Sequence, residues 1–400
     1  MSTTLKAPRT ASDIDWVARA RELAPTIEAA ADRTEAEGQV PGEVMAAMHD
    51  AELFRMLLPR SMGCAEADPM TMMRVLEIVS AADASTAWCL GQALGCSYAA
   101  AYLAPDVTQD IFGPRDAVLA WGPPGPSKAI PVDGGYRVTG RWRFASGSRH
   151  ATWVGGHTRV CDADGNPVTK PGGGPKLRTM LFKKSDVTMI DVWQVIGLRG
   201  TGSDDYSVED RFVPTAYTTW REDDEDRHED GPLYRIPLLT TYGMGFSALT
   251  LGIARSMMES FKALALEKSP GGTGMAKAVL ADNAVVQSQI AEAEAKILSS
   301  RAFLYDTTAE YWDVLSAGDE PSHDLRARLR LSITWAMNQA REAATYAYHA
   351  AGTNAIFEAN PFERRFRDIY TVSQQGQGHK ANYEPVGQVF LGKEPDGHRV

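Results

Sequence analysis

Small and hydroxyl-bearing residues lie between aromatic ones in the segment 142–153, WRFASGSRHATW. Small side chains let a flat ring system approach the backbone, and a serine hydroxyl or backbone N–H can then hydrogen-bond a ring nitrogen or carbonyl. Phe144, Ala145 and Ser146 are the candidate contacts. The same composition is typical of a corner where a strand enters a turn, so the segment alone leaves both interpretations open.

A histidine that directly follows a segment of glutamines and glycines lies near the C-terminal end. His379 follows the segment 374–378, QQGQG, and precedes Lys380. An imidazole is suited to proton transfer near neutral pH. His379 is therefore a candidate acid or base, although a single histidine is also common as a structural residue.

Familiar catalytic and cofactor motifs are missing from the sequence. It contains no Walker A, HExxH or GxSxG pattern. Residues 243–248 fit a relaxed GxGxxA, but no βαβ unit accompanies them. The acidic run 223–226 is interpreted as a solvated loop. No CxxC pair occurs, so we predict no metal site and four reduced, mostly buried thiols: Cys64, Cys89, Cys96 and Cys161.

The charge balance narrows the range of partners. The 400 residues include 41 basic and 51 acidic ones, which gives a net charge of −10. Such a chain lacks the basic surface expected of a nucleic-acid or anionic-lipid binder. Two uncharged stretches, 85–105 and 236–254, are interpreted as buried helices rather than membrane spans. The N-terminal segment has no apolar signal region, so we expect a cytoplasmic protein that handles small molecules.

The chain divides into three regions that differ in composition and in the spacing of apolar residues, and these regions must position the candidate residues. Residues 1–116 show helical spacing and form a predicted N-terminal helical domain. Residues 117–236 alternate β-rich runs with Gly/Pro/Asp turns, which is typical of an antiparallel barrel or sandwich. Residues 237–400 return to long amphipathic helices, as in a four-helix bundle. Strands are predicted at 136–144, 179–182, 193–196 and 206–213, with a hairpin loop at 162–176.

These segments together resemble a known family. The order of helices, β-domain and helical bundle is similar to the acyl-CoA dehydrogenase fold, of class α+β. Its β-domain signature is matched by 197–203, GLRGTGS, followed by 208–214, VEDRFVP. Further matches are 85–88, STAW, the segment 142–153, and 379–382, HKAN, with Gly392 downstream. The combination most resembles the oxygenase components of two-component flavin-dependent monooxygenases, such as the phenol hydroxylase of steroid degradation and 4-hydroxyphenylacetate hydroxylase.

The resemblance implies site residues. Catalytic roles would fall to His379 and Ser146, with Ser146 near N5 of the flavin. Lys268 stands where the family has arginine, and Thr353 and Asn354 would meet the flavin of a neighbouring subunit. The implied flavin contacts are Trp88, Trp121, Gly122, Pro123, Phe144, Ala145, Ser146, Lys268, Thr353, Asn354, His379 and Lys380. The implied substrate contacts are Cys96, Trp121 and His379.

The implied reaction is hydroxylation of an aromatic substrate through a C4a-hydroperoxyflavin. It would use FMNH₂ or FADH₂ with O₂, a separate NAD(P)H:flavin reductase, and a homo-oligomer, expected to be a tetramer. Cys96 replaces a histidine of close relatives, so phenolic, indolic and polycyclic substrates all stay open.

Other reactions of the same fold are alternatives. An N-oxygenase of the amino-sugar type, an S-oxygenase of the thiophene type and a catalytically silent flavin-binding protein each stay open. An acyl-CoA dehydrogenase is disfavoured, because the segment 367–373, RDIYTVS, supplies no glutamate for α-proton abstraction.

Overall fold

Helices occupy both ends of the chain and strands occupy the middle. The computed structural model describes residues 14–170, 173–220, 226–269 and 279–395. Three residues of the acidic run, 223–225, lie outside this range, as do residues 1–13 of the predicted N-terminal domain and 396–400 of the predicted C-terminal domain. The N-terminal helices are α1 (Trp16–Ala29), α2 (Ala31–Glu37), α3 (Gly42–Asp50), α4 (Pro69–Ala82), α5 (Ala84–Ser97) and α6 (Pro105–Phe112).

The strands follow these helices, and longer helices follow the strands. The strands are β1 (Leu119–Trp121), β2 (Ser127–Val132), β3 (Gly135–Ala145), β4 (Trp153–Val160), β5 (Leu177–Lys183), β6 (Thr188–Ile190), β7 (Asp204–Pro214) and β8 (Thr218–Thr219). The C-terminal helices are α7 (Leu238–Glu267), α8 (Ala284–Ser316), α9 (His323–Ala351), α10 (Phe362–Val372) and α11 (Tyr383–Phe390). The limits at 116 and 236 fall between these groups, and their status as domain boundaries stays a prediction.

Helix α5 is buried on almost every side. The Asp83 carboxylate caps it by accepting the backbone N–H of Thr86 at 2.7 Å. Every residue of α5 except Gln92 is buried, and the helix contacts both α4 and α7. Such a helix needs no charged face, which accounts for the uncharged stretch 85–105. No helix in the described parts of the chain is long and apolar enough to span a bilayer.

The strands form one mixed sheet. Their order is β6–β7–β3–β2–β4–β5–β8, with β1 beside β4. Most neighbours run antiparallel, but β4 is parallel to both β1 and β2, which corrects the expectation of a purely antiparallel sheet. Two parallel neighbours need a connection that returns the chain to the starting end of the first strand. Strand β3, which runs antiparallel to β2, returns the chain in this way before β4 begins.

Three of the four predicted strands lie within observed ones. The stretches 136–144, 179–182 and 206–213 fall inside β3, β5 and β7, and 162–176 connects β4 to β5. The predicted strand at 193–196 is wrong, because these residues form an irregular segment. The indole N–H of Trp193 donates to the Leu198 carbonyl oxygen at 2.9 Å, which folds the segment back on itself, and β6 pairs with β7 instead.

The C-terminal helices pack around α9. Helices α7, α8, α10 and α11 all contact it. The predicted apolar face of α9 is entirely buried, from Leu329 through Ile333 and Met337 to Ala344. Helix α7 also packs on α4, so the N-terminal and C-terminal helices share one hydrophobic core.

One buried carboxylate joins the C-terminal helices to the loop before β7. Asp368 of α10 accepts the backbone N–H of Leu198 at 2.6 Å. The pKa of Asp368 is raised to about 7, chiefly by burial and to a lesser degree by the nearby Asp83 carboxylate, whereas the Leu198 N–H and Arg367 oppose the shift. The ionised form is thus costly in the folded chain, because little water solvates it.

This carboxyl should make stability depend on pH. The folded-state pKa of about 7 lies above the ordinary 3.8, so the folded chain binds the proton more tightly and the contribution of Asp368 to stability falls as pH rises from about 4 to 7. Asp368→Asn keeps an oxygen for Leu198 without titrating. Its free energy of unfolding relative to wild type should therefore improve between pH 5 and pH 8, by at most about 3 kcal/mol.

Urea unfolding at the two pH values measures this difference. The exposed Asp306 of α8 provides a control, since Asp306→Asn should follow wild type at both. Equal behaviour of the two variants would contradict the prediction.

Candidate active site

A cavity of about 550 Å³ lies where the sheet meets α5, α7 and the end of α10. This volume is within the roughly 300–1,000 Å³ typical of ligand pockets. Its lining is mainly apolar and aromatic, and no Asp or Glu of the described residues contributes to it. The lining residues are Trp88, Gln92, Trp121–Pro124, Phe144, Ser146, His157, Trp193, Leu198, Ser203, Leu238, Leu239, Tyr242, Phe246, Thr371 and Gln374–Gly376.

Three stacked rings from α5 and α7 form one wall. Trp88 stacks on Phe246 with ring centroids 4.1 Å apart and planes 7° from parallel. Phe246 in turn stacks on Tyr242 at 5.5 Å. Gly91 and Gly95, one helical turn apart on α5, face these rings. A Cβ at Gly95 would overlap the Tyr242 ring, so glycine is required for this close packing.

Another part of the lining is built from strained backbone at the end of β3. Phe144 has φ +59°, which is rare for a bulky side chain and marks a conformation imposed by its surroundings. Its ring stays 47 % exposed and meets Trp193 edge-on at 6.1 Å. Gly122 lies against the same strand, since a Cβ there would overlap the carbonyl oxygen of Arg143.

A continuous chain of hydrogen bonds crosses the buried base of the cavity. The Trp88 indole N–H donates to Ser146 Oγ at 3.0 Å. Ser146 Oγ lies 2.7 Å from Ser203 Oγ, which lies 2.7 Å from Thr201 Oγ1. The Thr201 hydroxyl donates to the Leu198 carbonyl oxygen at 2.9 Å. This chain fixes the only serine hydroxyls that line the cavity among the described residues, those of Ser146 and Ser203.

The cavity lining also contains a histidine that sequence reasoning missed. His157 of β4 lines the cavity, with Nδ1 2.8 Å from Thr179 Oγ1. Its ring lies 5.3 Å from that of Trp121, whose indole N–H donates to the Tyr242 hydroxyl at 3.2 Å. An imidazole within an uninterrupted strand carries no motif, and only the pairing of β4 with β5 and β1 shows where it points.

Several predicted site residues converge on this cavity. Trp88, Trp121, Gly122, Pro123, Phe144 and Ser146 all line it, and Ala145 is fully buried between the last two. Cys96 is also fully buried. Its Sγ lies 3.6 Å from the Tyr242 hydroxyl, so the tyrosine stands between the cysteine and the cavity. Burial raises the pKa of another α5 thiol, that of Cys89, and all four cysteines are free and buried.

A second predicted group lies at the far end of α7. Lys268 Nζ donates to the Ala351 carbonyl oxygen at 2.7 Å, next to Thr353 and Asn354 after Gly352. Lys268 is 22 residues beyond Phe246, about 30 Å along a helix. The three residues come together with one another but not with the cavity of their own chain. Their role at a neighbouring subunit's flavin stays a prediction.

His379 and Lys380 lie outside the cavity lining. Both are exposed, and His379 Nδ1 accepts the backbone N–H of Ala381 at 3.2 Å. The preceding residues Gln374–Gly376 do line the cavity. The catalytic role of His379 stays a prediction.

Comparison with known protein families agrees with this architecture. Residues 15–109 match the model "Acyl-CoA dehydrogenase, N-terminal domain", and residues 244–379 match "Acyl-CoA dehydrogenase, C-terminal domain". The crystal structure of 3-HSA hydroxylase from Rhodococcus sp. RHA1 superposes with a TM-score of 0.87 at 25% identity. That match covers 97% of this chain and 100% of the other.

Several bacterial proteins of similar sequence are monooxygenases or hydroxylases by name. Indole-3-acetate monooxygenase of Pseudomonas putida is 32% identical over 86% of this chain and 85% of its own. Pigment production hydroxylase of Rhodococcus erythropolis is 31% identical over 92% and 94%. The flavin-dependent monooxygenase oxygenase subunit HsaA of Rhodococcus jostii is 28% identical over 92% and 95%. The resemblance inferred from the sequence motifs is confirmed, and the chain belongs to the flavin-dependent monooxygenases built on the acyl-CoA dehydrogenase fold.

Proposed function

We propose that this oxygenase hydroxylates a planar aromatic substrate, with reduced flavin and O₂ as co-reactants. The observation that carries the proposal is an aromatic-walled cavity whose lining includes a serine hydroxyl and an imidazole but, among the described residues, no carboxylate. Relatives act on aromatic compounds by name, including indole-3-acetate and resorcinol. The missing carboxylate argues against proton abstraction of the dehydrogenase type.

The residues of the cavity fit a flavin ring. Trp88, Phe144 and Trp193 provide apolar contact for a flat tricycle, and Ser146 provides a hydrogen bond at its edge. Gly122 has no side chain, which lets its backbone pack directly against Arg143 of β3 and keeps the stretch 121–124 in the lining. Bound reduced flavin supplies the electrons that activate O₂ for transfer of one oxygen atom. The task of the chain is to orient both reactants and to exclude water.

Water exclusion follows from the ring packing. Trp88 is 8 % exposed and Phe246 is 1 % exposed, and the one polar atom of these two side chains, the Trp88 indole nitrogen, donates its hydrogen to Ser146. An apolar wall of this kind offers no hydrogen bond that would retain solvent.

We further propose that His157 contacts the substrate. The Trp121 indole N–H donates a hydrogen bond to the Tyr242 hydroxyl. The His157 ring is held through a hydrogen bond between Nδ1 and the Thr179 hydroxyl, so Nε2 is the ring nitrogen that points away from Thr179. It could accept the proton of a phenol or a ring N–H. In this proposal the proton acceptor lies on β4, and Trp121 and Tyr242 separate it from Cys96. His379 is the alternative acceptor.

The proposal includes two kinds of protein partner. A separate NAD(P)H:flavin reductase would supply the reduced flavin, as expected for a chain related to oxygenase components. A homotetramer would let Lys268, Thr353 and Asn354 reach a neighbouring flavin. The exposed apolar side chains of Phe357, Phe390 and Leu391 support such assembly, and light scattering after size exclusion would measure it.

The oxygenation itself should not require any other protein once reduced flavin is provided. Purified enzyme mixed anaerobically with chemically reduced FMN or FAD, then exposed to labelled O₂ and a panel of phenols and indoles, should give a product with one labelled oxygen. NADH with oxidised flavin should give product only after a flavin reductase is added. Products labelled at sulfur or nitrogen would instead indicate an S- or N-oxygenase, and flavin reduction by an acyl-CoA would indicate a dehydrogenase.

Paired histidine variants should locate the proton acceptor. His157→Asn keeps a group that can bond Thr179 but removes the second ring nitrogen, and turnover should fall by about 100-fold. The loss should shrink at alkaline pH, where the substrate hydroxyl ionises in solution. Flavin affinity should stay near that of wild type. A loss confined to His379→Ala would assign the proton transfer to His379 and contradict the role of His157.

A further inference from the structure

The hydrogen-bonded chain at the base of the cavity has only one possible direction. A carbonyl oxygen can only accept a hydrogen bond, so Thr201 donates its single hydroxyl proton to the Leu198 carbonyl oxygen. Ser203 must then donate to Thr201, and Ser146 must donate to Ser203. The Trp88 indole can only donate, and it donates to Ser146.

The Ser146 hydroxyl is consequently an acceptor towards the cavity. Its proton is committed to Ser203, one lone pair receives Trp88, and one lone pair is left. Ser146, Thr201 and Ser203 are all at most 5 % exposed, so solvent does not compete for these bonds. A ligand that approaches Ser146 from the cavity finds a site for an N–H or O–H, and no donor for a bare ring nitrogen.

We propose that Thr201 and Ser203 are positioning residues that make this site select the reduced flavin. The reduced ring carries a hydrogen at N5, whereas the oxidised ring presents a lone pair there. An acceptor at Ser146 complements the first and opposes the second. The inference rests on the proposed function, because it takes the flavin ring to lie against Ser146.

The loop that sets this direction is held from several sides. Leu198 has φ +53°, and its carbonyl oxygen receives Trp193 and Thr201 while its N–H is bound by Asp368. The Thr201 carbonyl oxygen accepts the backbone N–H of Gly147, next to Ser146, at 2.8 Å. The anchor of the chain is therefore fixed relative to both the β-domain and α10.

Two substitutions leave the Ser146 hydroxyl without an acceptor at Ser203, each in a different way. Ser203→Ala removes the Ser203 oxygen that accepts from Ser146. Thr201→Val removes the acceptor of Ser203, so that Ser203 can turn and donate to Ser146. In either variant Ser146 can donate into the cavity. The ratio of the dissociation constants for oxidised and reduced flavin should fall by about tenfold, the size of one hydrogen bond, and the midpoint potential of bound flavin should shift towards that of free flavin.

Equilibrium titration measures both constants, with FMN and FAD in air and with their reduced forms under anaerobic conditions. Thr201→Ser retains the hydroxyl and should retain the wild-type ratio. Ser148→Ala is the matched control, since its buried hydroxyl donates to Gly202 in the same loop at 3.3 Å but lies outside the chain. Its ratio should also match wild type.

The outcomes separate this inference from the function on which it rests. A wild-type ratio in both Ser203→Ala and Thr201→Val, with each variant folded by circular dichroism, would overturn the role of the chain and leave the oxygenase assignment standing. Wild-type protein that binds neither form of flavin would overturn the proposed cofactor site, and with it this inference. An equal fall in Ser148→Ala would show a general loosening of the loop and would also overturn it.

Discussion

The peptide groups of Leu198 are the junction on which the site depends. Its N–H is held by a buried carboxyl of α10, and its carbonyl oxygen receives the Trp193 indole and the Thr201 hydroxyl. A left-handed backbone conformation at this position lets the two groups face different parts of the molecule. The irregular segment after β6, the loop before β7 and the helical bundle are thereby fixed to one another, and the hydroxyl chain that ends at Ser146 takes its direction from this anchor.

The aromatic wall depends on a different constraint, which is the spacing of glycines on α5. Gly91 and Gly95 leave room for Phe246 and Tyr242 of α7, so two buried helices approach closely and present their rings to the cavity as a stack. The aromatic wall of the cavity is thus part of the hydrophobic core. Another part of the lining is more polar, and there Trp121 lies between His157 of the sheet and Tyr242, which covers Cys96.

Sequence patterns predicted much of this arrangement because the relevant signals are local. The segment 142–153 offered Ser146 as a candidate contact, and Ser146 lines the cavity. The periodic apolar residues of α9 indicated a buried face, which is confirmed. Strand propensity alone failed at 193–196, where a bond between the Trp193 indole and Leu198 replaces ladder pairing. His157 gave no signal, because alternation along a strand shows which face a residue occupies but not what that face contacts.

The sequence by itself determined the fold class, the helix–sheet–helix order and the family, since periodicity and several ordered motifs are properties of the linear chain. Only the tertiary structure decided which of the candidate residues share a cavity. It placed Trp88 and Ser146 in contact across 58 positions of the sequence and kept Lys268 and His379 outside the same cavity. It also fixed the direction of each hydroxyl in the chain of hydrogen bonds from Leu198 to Ser146. The physical reason is that hydrogen-bond direction depends on which partners can only donate or only accept, and long-range packing selects those partners.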